Sequence, residues 1–268
     1  MPHLYKPSTS GDSLLYAWFP AMHSRVDLLI FSNQQEEELL HTVEAVKQEL
    51  QRLEDIGNCF NPLSELSSVN HNAALRPLKV SPTLYDMLTI CKQYHEHTEG
   101  LFDISIASEH HGRKTLSAVE LQADHHVFFS REHIYLNLSG FLKGYALDHL
   151  RPLLEEKGIG NALINAGNSS IMAIGPGNTG NGWPIALPST PDRSITLRDQ
   201  CLTTSGNESE LRKHVVNPLT GLYVTGKRTV SVITESGTEG EVLSTSCFIA
   251  NETQQELLHK NFTFKIAI

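Results

Sequence analysis

"LNLSGFLKGYALD", residues 136–148, opens with the alternation of a strand and closes with the spacing of a helix, with Asn137, Gly140, Lys143 and Gly144 packed into the joint. Free backbone N–H groups and the positive end of the helix dipole meet at such a joint, so with a lysine in its first helical turn it is suited to an anion. Just before it, "HVFFSREHIYLNL" (126–138) alternates around a polar centre and reads as a hairpin that delivers the chain to the joint. The helix that follows contains Pro152, where a kink or a restart is expected.

Working outward, "RVDLLIFS" (25–32) reads as a buried strand. The segment 33–57 reads as an amphipathic helix with Leu39, Leu40, Val43, Val46, Leu50, Leu53 and Ile56 on one face. Asn33 and Glu36 match a capping box, and Gly57 stops the helix. Residues 58–70 read as an ordered loop, and a second helix starts at Ser81 with Pro82 in its first turn and ends by Gly100. After Gly158, the stretches 162–175, 183–189, 194–205, 228–236 and 262–268 read as strands, with a helical piece at 239–250. Helices fall mostly early and strands mostly late, without a visible repeat or linker. The expected fold is therefore α+β or mixed α/β, with residues 1–20 an N-terminal segment and 21–268 one unit.

Composition narrows the function classes. The 268 residues carry 40% apolar and 19% charged residues and a net charge of −9, which describes a globular chain with no basic surface for nucleic acid. Cys59, Cys91, Cys201 and Cys247 are scattered, without metal-ligand or framework spacing, and read as core or surface thiols. No stretch approaches membrane-spanning length, and residues 1–20 lack a basic start followed by an apolar run. As written, the chain reads as cytoplasmic; an export signal upstream of it would make the protein periplasmic or membrane-anchored.

Two decoys deserve separation from the signal. "GPGNTG" (175–180) has the letters of a dinucleotide fingerprint, but a proline-bearing strand pattern follows it where a helix is required. "YHEHTEG" and "SEHHGRK" place His95 and His97 two apart and His110 and His111 side by side; neither pair has the i, i+4 spacing of a helical zinc clamp, and they read as solvated.

Three stretches combine flexible residues with polar ones: the opening joint, "LRKHVVNPLTG" (211–221) and "GEVLSTS" (240–246). A phosphoanhydride site needs a cation, hard oxygen ligands for Mg²⁺ and a base. Lys143, Glu241 with Thr245, and His214 can fill those roles, Glu241 and Thr245 sharing a helix face at i, i+4. Each also has a plain reading: a solvated helix lysine, a first-turn acid, a strand-end histidine.

In this order and spacing the three stretches resemble the motifs of the ApbE family of FAD:protein FMN transferases. Asn137–Asp148 is similar to the family's D-x-[SG]-[GAS]-x-x-K-G-[YF]-x-x-D, His214–Gly221 to H-[IV]-x-D-P-x-T-G, and Glu241–Thr245 to D-A-L-[SA]-T. Upstream, "CFNPLSELSSVN", "TEGLFDISI" and "ALINAGNSS" resemble three further motifs, so the likeness runs from about Met22 onward. It implies an ApbE-like, T-fold-like unit of sheets flanked by helices around a flavin cleft. It also implies Mg²⁺-dependent transfer of FMN from FAD to a Thr or Ser hydroxyl of a flavin-acceptor protein, with release of AMP. Carried over by position, the FAD contacts are Met22, Phe60, Leu101, Phe102, Asp103, Asn137, Lys143 and Val215. The metal ligands are the Gly140 carbonyl, Glu241 and Thr245, and the base is His214. Where the family has aspartate this chain has Asn137, Asn217 and Glu241, which removes two negative charges near the metal and lengthens a third ligand. Two alternatives stay open: an FAD-binding protein without chemistry, and an FAD pyrophosphatase that uses water.

Overall fold

Alternation in the first hairpin sets the core. The structure, a computed structural model, describes every residue except 10, 188, 189, 208–214, 227, 228 and 268, with only the backbone of 190–193. In chain order the elements are β1 (His3–Lys6), β2 (Ser13–Ala21), β3 (Ser24–Ser32), α1 (Glu36–Gly57), α2 (Glu65–Asn72), β4 (Leu78–Lys79), α3 (Pro82–His97), β5 (Val119–Gln122), β6 (His126–Phe129) and α4 (Leu142–Glu156). There follow β7 (Ala162–Ala166), β8 (Ser170–Ile174), β9 (Trp183–Leu187), β10 (Thr190–Leu197), β11 (Gln200–Gly206), β12 (Val216–Asn217), β13 (Leu222–Tyr223), β14 (Thr229–Thr234), α5 (Gly237–Ile249), α6 (Glu252–Asn261) and β15 (Lys265–Ala267).

The main sheet runs β1-β2-β3-β7-β8-β11-β14-β15, every pair antiparallel. In β2 and β3, Leu15 faces Ile30, Ala17 faces Leu28 and Phe19 faces Val26, all buried, so one pleat face of the hairpin is core. Each fully buried Leu, Ile or Val of this kind contributes about 1.5–3 kcal/mol. α1 lays Leu39, Val43, Val46, Leu50 and Leu53 on that face, and α4 and α5 cover its other half. Against the opposite face pack β9 and β10, which bring Trp183, Ile185 and Leu187 onto Ile171 and Ala173 of β8. Covered on both sides, β8 is buried at every residue. The fold is α+β, as the order of elements in the sequence implied.

Several local readings change. The helix α1 starts two residues later than Asn33 implied: Glu38 Oε2 accepts from Gln35 N at 3.2 Å, making Gln35 the cap. The loop at 58–70 contains α2, capped by Ser64 Oγ, which accepts from Ser67 N at 3.0 Å. Helix α4 runs through Pro152 without a restart, the exposed ring costing it only one intrahelical bond. The stretch 194–205 divides at Asp199 (φ 54) into β10 and β11, which belong to different sheets. "GPGNTG" is a turn between β8 and β9, with no helix after it.

The largest change concerns the opening stretch. Residues 134–138 bury Ile134, Leu136 and Leu138 alternately, yet they join no sheet. Side chains replace the ladder: Leu136 N donates to Asn70 Oδ1 at 2.8 Å, Asn70 Nδ2 donates to Leu136 O at 2.9 Å, and Tyr135 N donates to Ser108 Oγ at 2.9 Å. The expected hairpin is therefore half present: β6 pairs with β4 and β5, and the returning arm is an extended strap.

Candidate functional site

The strap turns into α4 at a tight corner. Asn137 Oδ1 accepts from Ser139 N at 2.8 Å, and Leu138 O accepts from Phe141 N and Leu142 N at 2.9 and 2.8 Å. This geometry puts Lys143 in the first turn of α4, where its ammonium donates to Ser169 Oγ and stands 4.0 Å from Glu241 Oε1.

Helix α5 brings the opposite charge. Eleven of its thirteen residues are buried, since it is wedged between α4 and the strands β8, β11 and β14, and a helix covered all round needs no amphipathic pattern. Two glycines allow the approach of α4: a Cβ on Gly144 would lie 2.1 Å from Gly237 O and 2.6 Å from Glu241 Cγ. Asp148 of α4 completes the joint, accepting from Ser236 Oγ at 2.7 Å, Gly237 N at 2.7 Å and Thr238 N at 2.9 Å, at the positive end of α5.

Glu241 is 4% exposed, and its Oε1 accepts from Ser170 Oγ at 2.5 Å. Burial raises its pKa above the ordinary carboxylate value; the Lys143 charge, the Ser170 hydroxyl and the Gly144 backbone oppose that shift. One turn on, Thr245 Oγ1 is 3.0 Å from Ser205 Oγ, which is 2.8 Å from Ser244 Oγ.

Lys143, Glu241, Thr245, Gly140 and Asn137 line a single cleft of about 630 Å³. Its other wall carries Leu101, Phe102, Asp103 and Val215. The volume is in the range of small-molecule sites. Met22 and Phe60 do not line it: Met22 N donates to Glu54 Oε2 at 2.8 Å, and Phe60 is 65% exposed. His214 lies outside the described residues. A more open groove of about 740 Å³ lies on the far side of α4 and α5, among Asp86, Tyr94, Asp148 and Glu239. None of the site residues read from the sequence lines that groove, so chemistry, rather than size, selects the cleft. Among the described residues no group of three His, Cys, Asp or Glu side chains is placed to hold a metal ion.

The hydroxyls of Ser169, Ser170, Thr204 and Ser205 escaped the sequence reading, although the runs "NSS" and "TTS" were the available signal. Of the four histidines read as solvated, His97 and His110 are exposed, and the other two are corrected. His95 and His111 are not solvated: their side chains are 19% and 9% exposed and both face Asp103. All four cysteines are buried and free.

The cleft's makeup, an ammonium and hydroxyls at a helix mouth with a buried acid behind them, is chemically suited to a phosphate-bearing ligand on an α+β scaffold. The chain belongs to the ApbE family, whose model matches residues 22–266. An FAD:protein FMN transferase of Chlamydia muridarum is 25% identical over 245 aligned residues, covering 79% of this chain and 77% of that protein. The flavin transferase ApbE of Vibrio cholerae superposes with a TM-score of 0.79 at 19% identity, covering 96% of this chain and 93% of its own. The flavinyl transferase ApbE of Pseudomonas stutzeri gives 0.80 at 19% identity, over 95% and 90%. Among the described residues no helix is long and apolar enough to cross a membrane.

Proposed function

We propose that this ApbE-family chain is an FAD:protein FMN transferase, moving FMN from FAD onto a Thr or Ser hydroxyl of an acceptor protein and releasing AMP. The observation that carries the reading is convergence. Lys143, Glu241, Thr245, Asn137 and Gly140 come from two distant stretches of sequence and line one cleft. In this reading Lys143 neutralises the diphosphate and the 137–141 corner receives it, while Leu101, Phe102 and Val215 supply apolar wall. His214 takes the proton of the acceptor hydroxyl as it attacks the FMN phosphorus, and AMP leaves in line.

The donors present fit Mg²⁺ in kind: Glu241 gives a carboxylate, Thr245 a hydroxyl and Gly140 a carbonyl, all hard oxygen on one cleft. Bound there, the ion would offset phosphate charge. A second reading, FAD held without chemistry, is favoured by one detail: the Glu241 carboxylate is already engaged by Ser170 and faces Lys143.

Incubation with FAD, Mg²⁺ and a flavinylation-competent acceptor separates the readings. AMP with flavin-labelled acceptor is the expected result. AMP with free FMN identifies a pyrophosphatase, and intact bound FAD identifies a carrier.

A further inference from the structure

The Asp103 side chain is only 1% exposed, and a carboxylate taken that far from water is costly unless its oxygens are paired. One oxygen is served locally: Oδ1 accepts from Ser105 N at 2.7 Å and from Ser105 Oγ at 2.6 Å. The other depends on a residue eight positions further along the same loop. Oδ2 accepts from His111 Nε2 at 3.0 Å, so that nitrogen carries the proton. His95 Nδ1 lies 3.7 Å from the same oxygen but spends its hydrogen on Phe102 O at 2.9 Å, which leaves His111 as the principal partner.

Asp103 lines the cleft beside Leu101, Phe102 and Ile104. Ile104 O in turn accepts from Asn137 N at 2.8 Å, at the corner that leads to Lys143. Direct contacts thus run from His111 through Asp103 and the 101–104 wall to the corner of the strap. His111 belongs to none of the stretches used in the functional reading.

We infer that His111 is a positioning residue of the cleft: its N–H holds Asp103, and through Asp103 the 101–104 wall and Asn137, in the arrangement that receives FAD. The inference rests on the cleft being the FAD site. Wild type, His111→Ala and His111→Gln are checked for folding by urea unfolding, FAD is titrated into each, and AMP release is followed against FAD concentration with Mg²⁺ and a flavinylation-competent acceptor protein present. His111→Ala raises the FAD dissociation constant and KM about tenfold, the worth of one hydrogen bond to a charged group, while kcat stays within about twofold. His111→Gln, whose amide can still donate to Asp103, restores most of the affinity. Should His111→Ala not fold, His111→Leu, which fills the space without a donor, takes its place, and in the double variant with Asp103→Asn its effect is not additive, because two residues acting through one bond are non-additive. Unchanged FAD affinity in His111→Ala, a loss confined to kcat, no rescue by Gln, or additivity in the double variant each overturns the inference while leaving the FAD site intact. Failure of the wild type itself to bind FAD overturns the functional reading and the inference together.

Discussion

Gly144→Ala tests the reasoning where sequence and tertiary structure disagree. By helix propensity alone the change is favourable, since alanine is better than glycine inside a helix by about 1 kcal/mol. The fold reverses the sign. The new Cβ would sit 2.1 Å from Gly237 O and 2.5 Å from Gly237 C, both backbone atoms at the start of α5, so no side-chain rotation relieves the overlap. Relief requires α4 and α5 to part by about 1 Å, and a backbone overlap this close falls at the upper end of an overpacking cost of about 1–3 kcal/mol, so the variant loses roughly 2 kcal/mol net. Glu241 lies one turn beyond Gly237, so the same shift lengthens its approach to Lys143 and Ser170 and weakens FAD binding. Gly140→Ala is the control: its Cβ meets nothing within 4 Å, and its stability stays within about 0.5 kcal/mol of wild type. Urea denaturation with equal slopes gives the first comparison and FAD titration the second. A Gly144→Ala protein as stable as wild type, with unchanged FAD affinity, would refute the close-approach argument.

Asp148→Ala removes three hydrogen-bond acceptor contacts from the start of α5 and is expected to lower unfolding free energy by about 2 kcal/mol, read by urea denaturation. His214→Ala abolishes flavin transfer yet leaves FAD binding near wild type, and an active His214→Ala would remove that residue from the mechanism. Glu241→Gln suppresses AMP release at saturating Mg²⁺; unchanged release would end its metal role. Burial pushes the thiols of Cys201 and Cys247 up to about 12, so a disulfide reagent at pH 8 leaves them unmodified until the protein unfolds. Since the folded pKa lies above the unfolded one, their contribution to stability is complete below about pH 8.5 and declines as pH rises toward 12.

Local pattern was a sound guide where burial is one-sided. The stripe of α1 and the alternation of β3 were legible because a face that meets the core must repeat with the element's own period. It failed where partners are remote. Helix α6 has one buried residue, Leu258, and so little stripe to read. The strap at 134–138 has strand alternation, but whether an extended segment joins a sheet depends on its neighbours, and here Asn70 and Ser108 intervene.

By itself the sequence determined the α+β class, which follows from period and element order, the residues that bear charge and hydroxyls, and, through motifs that resemble a known family's, the likeness from about Met22 onward. Only the tertiary structure decided which of them meet. Lys143 and Glu241 are 4.0 Å apart because two glycines let α4 and α5 touch, and the 101–104 wall meets the corner of the strap because Asn137 N donates to Ile104 O. Such meetings are set by packing between distant segments, where interaction falls off within a few ångströms, and no local window of sequence contains that information.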